Sequence, residues 1–380
     1  MRIWNKCLVV ILSITLSFVW LPIPESNAIS TSAKAFCVMC ADTGEVLASS
    51  NAHLRLSMAS TTKIMTALIL AELNTLDKEI VTTKEMVTVE GSSMGLLEGD
   101  SISYYELLVG MLLASGNDAA NTTAIAVSGS VEAFAKLMNK RANEIGMKNT
   151  NFVTPSGLDD DEHYSTAFDM SLLACEALKN DTIRNIVSQK KITISYGNPP
   201  YQRTLYNHNK LLGSYEYCIG VKTGFTKKSG RCLVSAAEKD NCRVVAVTLN
   251  NPNDWSDHEA LLDYGLSKLK LYDISADFEN DKMNVVGGAE DYVSIATESF
   301  SLGCTESSKE SITYKINLPP FIYAPVTLGQ VIGNVEYFYN SKLIHKKDII
   351  ALHSVEYKIY EPSFFESFKS KVLMIMRFFV

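Results

Sequence analysis

Histidine is scarce in this chain: six in 380 residues, at positions 53, 163, 208, 258, 345 and 353. None is in an HxxxH, HxH or HExxH spacing, which leaves a zinc site little support. There is no GxxxxGK phosphate loop and no GxSxG nucleophile elbow. Basic charge is short as well. The net charge is −7, and no basic stripe interleaved with aromatics is present, which argues against nucleic acid as a partner. Cysteine spacing is irregular: of eight cysteines, Cys7 falls in the leader described below, and the remaining seven do not organise a disulfide framework. Cys37 and Cys40 form a CxxC on an apolar strand, where positions i and i+3 face opposite ways, so they read as small core residues rather than a metal or redox pair. No metal or other cofactor is expected.

Long apolar runs are also missing. The one near the start, residues 7–21, is shorter than the ~20 residues a spanning helix needs. With Arg2 and Lys6 before it and Ser26, Asn27 and Ala28 after it, residues 1–28 read as a cleaved secretory signal. The protein is therefore expected outside the cytoplasm.

What remains is ordinary globular material, 47% hydrophobic and 20% charged, enough for two domains. Residues 35–49 read as strand, DTG turn and strand. A helix from about Ser60 to Leu73 is apolar around most of its axis and should be central. Residues 104–180 alternate helical stretches with polar loops. The acidic run Asp159, Asp160, Asp161 and Glu162 reads as a solvated loop. CIGVKTGF, RCLVSAAE and CRVVAVTLN then read as consecutive strands, and WSDHEALLDYGLSKLKLY as a helix. Strands at both ends with helices between predict one α/β domain over 29–275, with an antiparallel sheet in which the terminal segments pair. Short alternating runs predict a small all-β domain over 276–360.

Residues 361–380 differ in character. Phe364, Phe365, Phe368, Val372, Ile375, Met376, Phe378 and Phe379 share one helical sector, opposite Glu366, Ser370 and Arg377. Aromatics on one face, with Lys369, Lys371 and Arg377 against a single acid, suit a helix lying in an anionic membrane interface.

Chemistry concentrates in three short elements. In MASTTKIMTALIL, Ser60 is either a helix cap or a nucleophile beside the positive end of the helix dipole. Lys63, three residues on, lies on the same face, and a lysine whose pKa is depressed by burial can take a serine proton. SxxK recurs at Ser188 to Lys191 and Ser267 to Lys270, but only the first begins an apolar helix. Ser115, Gly116 and Asn117 occupy a polar break between helices, where a hydroxyl and a carboxamide can project into a cleft. Lys222, Thr223 and Gly224 continue a predicted strand, the glycine allowing a substrate backbone to approach. The order SxxK, SxN, KTG is the joint pattern of penicillin-binding proteins and class A β-lactamases.

With these motifs in RLSMASTTKIMTALI, LLASGNDAANTTA, FVTPSGLDDDEHYSTAFDM, NHNKLL and GVKTGFTKKSGRCLVSAAEKDNCRVVAVTLN, the chain resembles the D-alanyl-D-alanine carboxypeptidases, low-molecular-mass penicillin-binding proteins. The resemblance implies an α/β (α+β) penicillin-binding/β-lactamase-like transpeptidase domain with antiparallel sheet and helical cluster, a small C-terminal β domain, and an amphipathic helix on the outer face of the bacterial cytoplasmic membrane. It implies that Ser60 attacks the bond between the terminal D-alanines of a peptidoglycan stem peptide, with Lys63 as base. Ser115 would relay the proton to the leaving amine, and Asn117 would hold the substrate amide. Lys222 and Thr223 would hold its carboxylate, and the backbone N–H groups of Ser60 and Phe225 would bind the oxyanion. β-Lactam antibiotics would acylate Ser60.

Two alternatives accompany this reading. A class A-like β-lactamase needs a Glu in an ExxxN loop, but residues 151–169 contain only Glu162, with Thr at 166. A catalytically silent scaffold should have lost Ser60, Lys63 or Lys222, and all three are present. One departure stands out: some relatives have Arg where this chain has His208 and His258. Both read as ordinary surface or loop residues, with a pH-dependent carboxylate contact as the other reading.

Overall fold

The computed structural model describes residues 29–278, 281–359 and 364–376; the leader at 1–28 and Arg377, Phe378 and Phe379 lie outside the described residues. Five strands, β1 (Ala35–Cys40), β2 (Val46–Ser50), β3 (Cys218–Thr226), β4 (Gly230–Lys239) and β5 (Cys242–Leu249), form an antiparallel sheet in the order β2-β1-β5-β4-β3. The chain's first and last strands of this unit thus lie side by side, Ala35 opposite Leu249, as the sequence order predicts. The β4–β5 connection is a two-residue turn, Asp240–Asn241, both with positive φ (51° and 59°), the backbone that matches the twist of the flanking strands.

The sheet is covered on both faces, which is why β1 and β5 read as nearly continuous apolar runs. Four helices matter for the site: α1 (Lys63–Glu72), α2 (Asn117–Ser128), α3 (Ala167–Ala177) and α4 (Asp254–Lys268). On one face α4 approaches closely at Gly265, where an added Cβ would come 2.4 Å from Val244 and 3.0 Å from Val38. On the other, Cys37 meets Ser171 of α3, and burial pushes its thiol up to about 11. In α1, residues 63–71 are all buried, so it is the central helix the sequence predicts.

The reading that carried the WSDHEALLDYGLSKLKLY helix to Tyr272 is corrected by the structure. α4 ends at Lys268, and Lys270–Ile274 is a strand paired with Phe300–Cys304. A partner strand overrides the local helical pattern here. The C-terminal region is otherwise a six-stranded sheet around Val293, Ile295, Val335, Tyr337, Ile349 and Ala351, plus one short helix, Glu306–Glu310. It meets the first unit where Glu45 accepts hydrogen bonds from Thr305 (2.7 Å) and Ser308 (2.6 Å), and where Gly303 lies against Cys242, so close that a Cβ would come 2.8 Å from Cys242 Cα.

Phe364–Met376 is helical, with Phe364, Phe365 and Phe368 exposed. Among the described residues no helix is long and apolar enough to cross a membrane.

Candidate active site

Ser60 sits in a 3-10 turn, Ala59–Thr62, that feeds α1. Two bare backbones grip this turn. A Cβ at Gly157 would fall 1.9 Å from Ala59 O; one at Gly224 would lie 3.0 Å from Met58 O and 3.1 Å from Ser60 N. A side chain at Gly224 would thus crowd the serine turn, a packing role beside the substrate approach that the sequence suggests. Ala59 is held at φ 48°, a strained backbone for a residue with a side chain. The cap reading of Ser60 fails: Thr62 is the N-cap of α1 and Met58 that of the turn, with no side-chain cap bond at either.

The Ser60 hydroxyl instead meets Lys63 Nζ at 3.0 Å. Lys63 is fully buried, and its amine also donates to Asn117 Oδ1 (2.6 Å) and Ser156 O (2.7 Å). Both of those are acceptors only. In the neutral amine they take the two N–H groups and leave the lone pair for the serine proton. Burial, and then the charge of Lys222, hold the Lys63 pKa well below the usual lysine range, against the opposing pull of Asp118.

The second hydroxyl is placed by a matching pair. Ser115 has φ 59° and is buried, and Lys222 Nζ donates to its Oγ at 3.0 Å and to Thr223 O at 2.9 Å. Burial lowers the Lys222 pKa to about 7. Ser60, Ser115, Thr223, Gly224 and Phe225 line one cleft of about 330 Å³ together with His208, Arg231 and Trp255. That volume suits a small polar ligand or the end of a peptide. The other two SxxK matches come apart: the hydroxyls of Ser188 and Ser267 donate to Asn185 O and Tyr264 O, the ordinary behaviour of surface helix residues.

Sequence reasoning missed two functional residues. His163, buried, accepts the Val153 N–H at Nδ1 (2.9 Å), so its Nε2–H donates to Thr62 Oγ1 (2.8 Å), tying the loop that carries Ser156 to the serine turn. Burial lowers its pKa to about 4, which keeps it neutral. Arg231 lies opposite Phe225 in the β3–β4 register. The buried carboxylate of Asp254 orients its guanidinium (Nε to Oδ1 2.9 Å, Nη2 to Oδ2 2.9 Å), and Trp255 stacks on it. The signal was available only as pairing register, since GRCLVS carries no motif.

The two noted histidines separate. His208 lines the cleft, its pKa lowered by partial burial and by Lys222. His258 is neither a surface residue nor near a carboxylate site. It lies on the inner face of α4, fully buried between Ser235 and Thr248, and burial lowers its pKa to about 3. Glu162 is exposed and is not among the cleft-lining residues, so the β-lactamase reading gains nothing.

Residues 23–253 match the family model for D-alanyl-D-alanine carboxypeptidase, and residues 270–357 match the model for the C-terminal domain of penicillin-binding protein 5. The chain belongs to the D-alanyl-D-alanine carboxypeptidase family. It is 32% identical over 329 residues to the D-alanyl-D-alanine carboxypeptidase DacF of Bacillus subtilis, covering 82% of each chain. It is 33% identical over 352 residues to DacC of Escherichia coli, covering 87% of this chain and 86% of that one. Among solved structures, DacD from Francisella tularensis superposes with a TM-score of 0.63 at 25% identity, over 90% of this chain and 98% of that one. The Streptomyces K15 DD-transpeptidase superposes with a TM-score of 0.60 at 32% identity, over 63% of this chain and 98% of that one. The carboxypeptidase is thus a serine peptidase of the low-molecular-mass penicillin-binding type, with an α+β transpeptidase-like domain followed by a β-rich one.

Proposed function

We propose that this carboxypeptidase removes the terminal D-alanine of a peptidoglycan stem peptide through an acyl-enzyme on Ser60. The observation that carries this is the Lys63 amine, with both N–H groups committed to carbonyl oxygens and its remaining position facing Ser60 Oγ. Lys63 takes the hydroxyl proton as Oγ attacks the D-Ala–D-Ala carbonyl. The oxyanion is met by the backbone N–H groups of Ser60 and Phe225, such donors contributing about 3 kcal/mol each. Ser115, bonded to Lys222, relays the proton taken by Lys63 to the leaving D-alanine amine, which returns Lys63 to its neutral form, and Asn117 holds the substrate amide. Water then hydrolyses the ester. β-Lactams present the same carbonyl and stop at the acyl-enzyme.

Specificity for a free C-terminus needs a permanent positive charge. Lys222, with a pKa near 7, is only partly charged at neutral pH; Arg231, pinned by Asp254 in the cleft lining, is always charged. Together with Thr223 it faces the end of the cleft where the carboxylate would sit. Arg231→Gln is expected to raise KM for a peptide ending in D-Ala-D-Ala by ~10–100-fold, the value of one charge-assisted bond, with a much smaller change in kcat. Released D-alanine is the readout, and the C-terminal amide of the same peptide, cleaved poorly by wild type, should lose nothing further. Equal losses on acid and amide would refute the assignment.

The reading extends to location. The leader at 1–28 supports export, and the exposed phenylalanines of Phe364–Met376 support attachment to the outer face of the cytoplasmic membrane. The mature protein should float with vesicles containing phosphatidylglycerol, and truncation after residue 360 should leave it in the aqueous fraction. Flotation of the truncated protein would assign the attachment elsewhere.

A further inference from the structure

Asp118 is a buried carboxylate that the reaction just described does not use. It lies one residue beyond Asn117, in the first turn of α2, 1% exposed. Apart from the Ala119 N–H of its own helix, which donates to Oδ1 (2.9 Å), its partners come from a single segment without regular secondary structure. Oδ1 accepts the Met94 N–H (2.9 Å); Oδ2 accepts the Gly95 N–H (3.0 Å), the Leu96 N–H (3.0 Å) and the Ser93 hydroxyl (2.5 Å). Three consecutive backbone donors on one carboxylate cost less to hold than three separate caps, because one buried charge satisfies all of them.

The segment is tied to the active site as well as to Asp118. Asn117 N–H donates to Ser92 O (2.7 Å) and Asn117 Nδ2 to Glu90 O (2.7 Å), while Asn117 Oδ1 receives the Lys63 amine. Ser92 lines the cleft. From the outer side, Arg203 donates to Gly95 O (2.7 Å) and Met94 O (3.1 Å), and Tyr196 donates to Met94 O (2.6 Å). The segment at 90–97 is thus a strap stretched between Asp118 and Arg203, with the Asn117 carboxamide as its link to the general base.

We propose that Asp118 is a positioning residue: it holds strap 90–97 as a wall of the cleft and, through Asn117, fixes the amine of Lys63 on the Ser60 hydroxyl. This rests on Ser60 and Lys63 being the reacting pair. The charged groups acting on Lys63 are Lys222 from β3, which opposes its protonation, and Asp118 from α2, which favours it. The loop carrying Ser156 presents only a carbonyl, and its His163 is neutral. Losing the Asp118 charge therefore has a readout that loss of packing does not: protonation of Lys63 becomes harder, and the acid limb of the rate profile moves to lower pH.

The test uses the mature protein and follows acylation by benzylpenicillin with intact mass, from pH 4 to 9. Asp118→Asn keeps one acceptor but turns an N–H group toward the strap donors. It is expected to acylate at least tenfold more slowly, with its acid limb at lower pH than wild type. Arg203→Met, which loosens the strap from outside, is expected to slow acylation with the limb unmoved. An Asp118→Asn protein with the wild-type rate, or a slower one whose limb has not moved, would overturn the proposal. If Asp118→Asn does not fold, Ser93→Ala removes one exposed donor of the same carboxylate; wild-type rates in both Ser93→Ala and Arg203→Met overturn it. Absence of any adduct in the wild-type protein would instead refute the Ser60 mechanism.

Discussion

Incubated with benzylpenicillin, the wild-type protein is expected to gain the mass of one antibiotic molecule, and Ser60→Ala to gain none. Release of D-alanine from a D-Ala-D-Ala peptide should fall in parallel by roughly 10⁴-fold or more, the scale of losing a nucleophile whose partners act as a unit. The substitution is a clean one. Ser60 caps neither the 3-10 turn nor α1, so removing Oγ costs the helix no cap. Lys63 keeps Asn117 and Ser156 as acceptors, so no buried donor loses all its partners. Ser188→Ala and Ser267→Ala, at the other two SxxK matches, should leave both readouts at wild-type levels. A penicillin adduct on Ser60→Ala would place the nucleophile elsewhere.

Lys63→Met removes the base while filling most of its volume. Acylation is expected to slow by ~10³–10⁴-fold, the range of a positioned general base. Stability drops too, because Asn117 Oδ1 and Ser156 O lose their donor, at about 1–3 kcal/mol for each buried acceptor left unpaired. The sign of the pH dependence follows from the charges. Lys63 works only when neutral, so activity is lost as pH falls through its depressed pKa. Lys222 helps to depress it, so Lys222→Gln raises the Lys63 pKa and moves the acid limb to higher pH, opposite to Asp118→Asn. A limb that stays in place in Lys222→Gln would show that burial alone depresses Lys63.

The arrangement also separates the cleft from the C-terminal region. Arg231 and Lys239 lie at opposite ends of β4, eight residues and so about 26 Å apart at ~3.3 Å per residue. The cleft uses the Arg231 end; Cys242, paired with Lys239, touches the C-terminal region through Gly303. The cleft and the contact with the C-terminal region therefore occupy opposite ends of the sheet.

Much of this was legible from residue order. The buried α1 showed in its unbroken apolar sequence, the pairing of the terminal strands in the strand–helix–strand order, and the reacting groups in SxxK, SGN and KTG on a helix, a loop and a strand. Residue order determined these because periodicity and motif spacing are local, and a local pattern survives in one dimension. It favoured Ser60 over Ser188 and Ser267, because only Ser60 begins an apolar helix. The fold added the geometry, wrapping the backbones of Gly157 and Gly224 around one serine turn and burying one lysine against two carbonyls. It likewise set Arg231 in the cleft lining, sank His258 into the core, and gave Asp118 its strap. Apart from His258 to Thr248, those contacts join residues at least 22 positions apart, and the desolvation that tunes Lys63 and Lys222 comes from distant segments closing over them. Burial is a property of the assembled chain, so the pKa values on which this enzyme's chemistry depends were decided by tertiary structure alone.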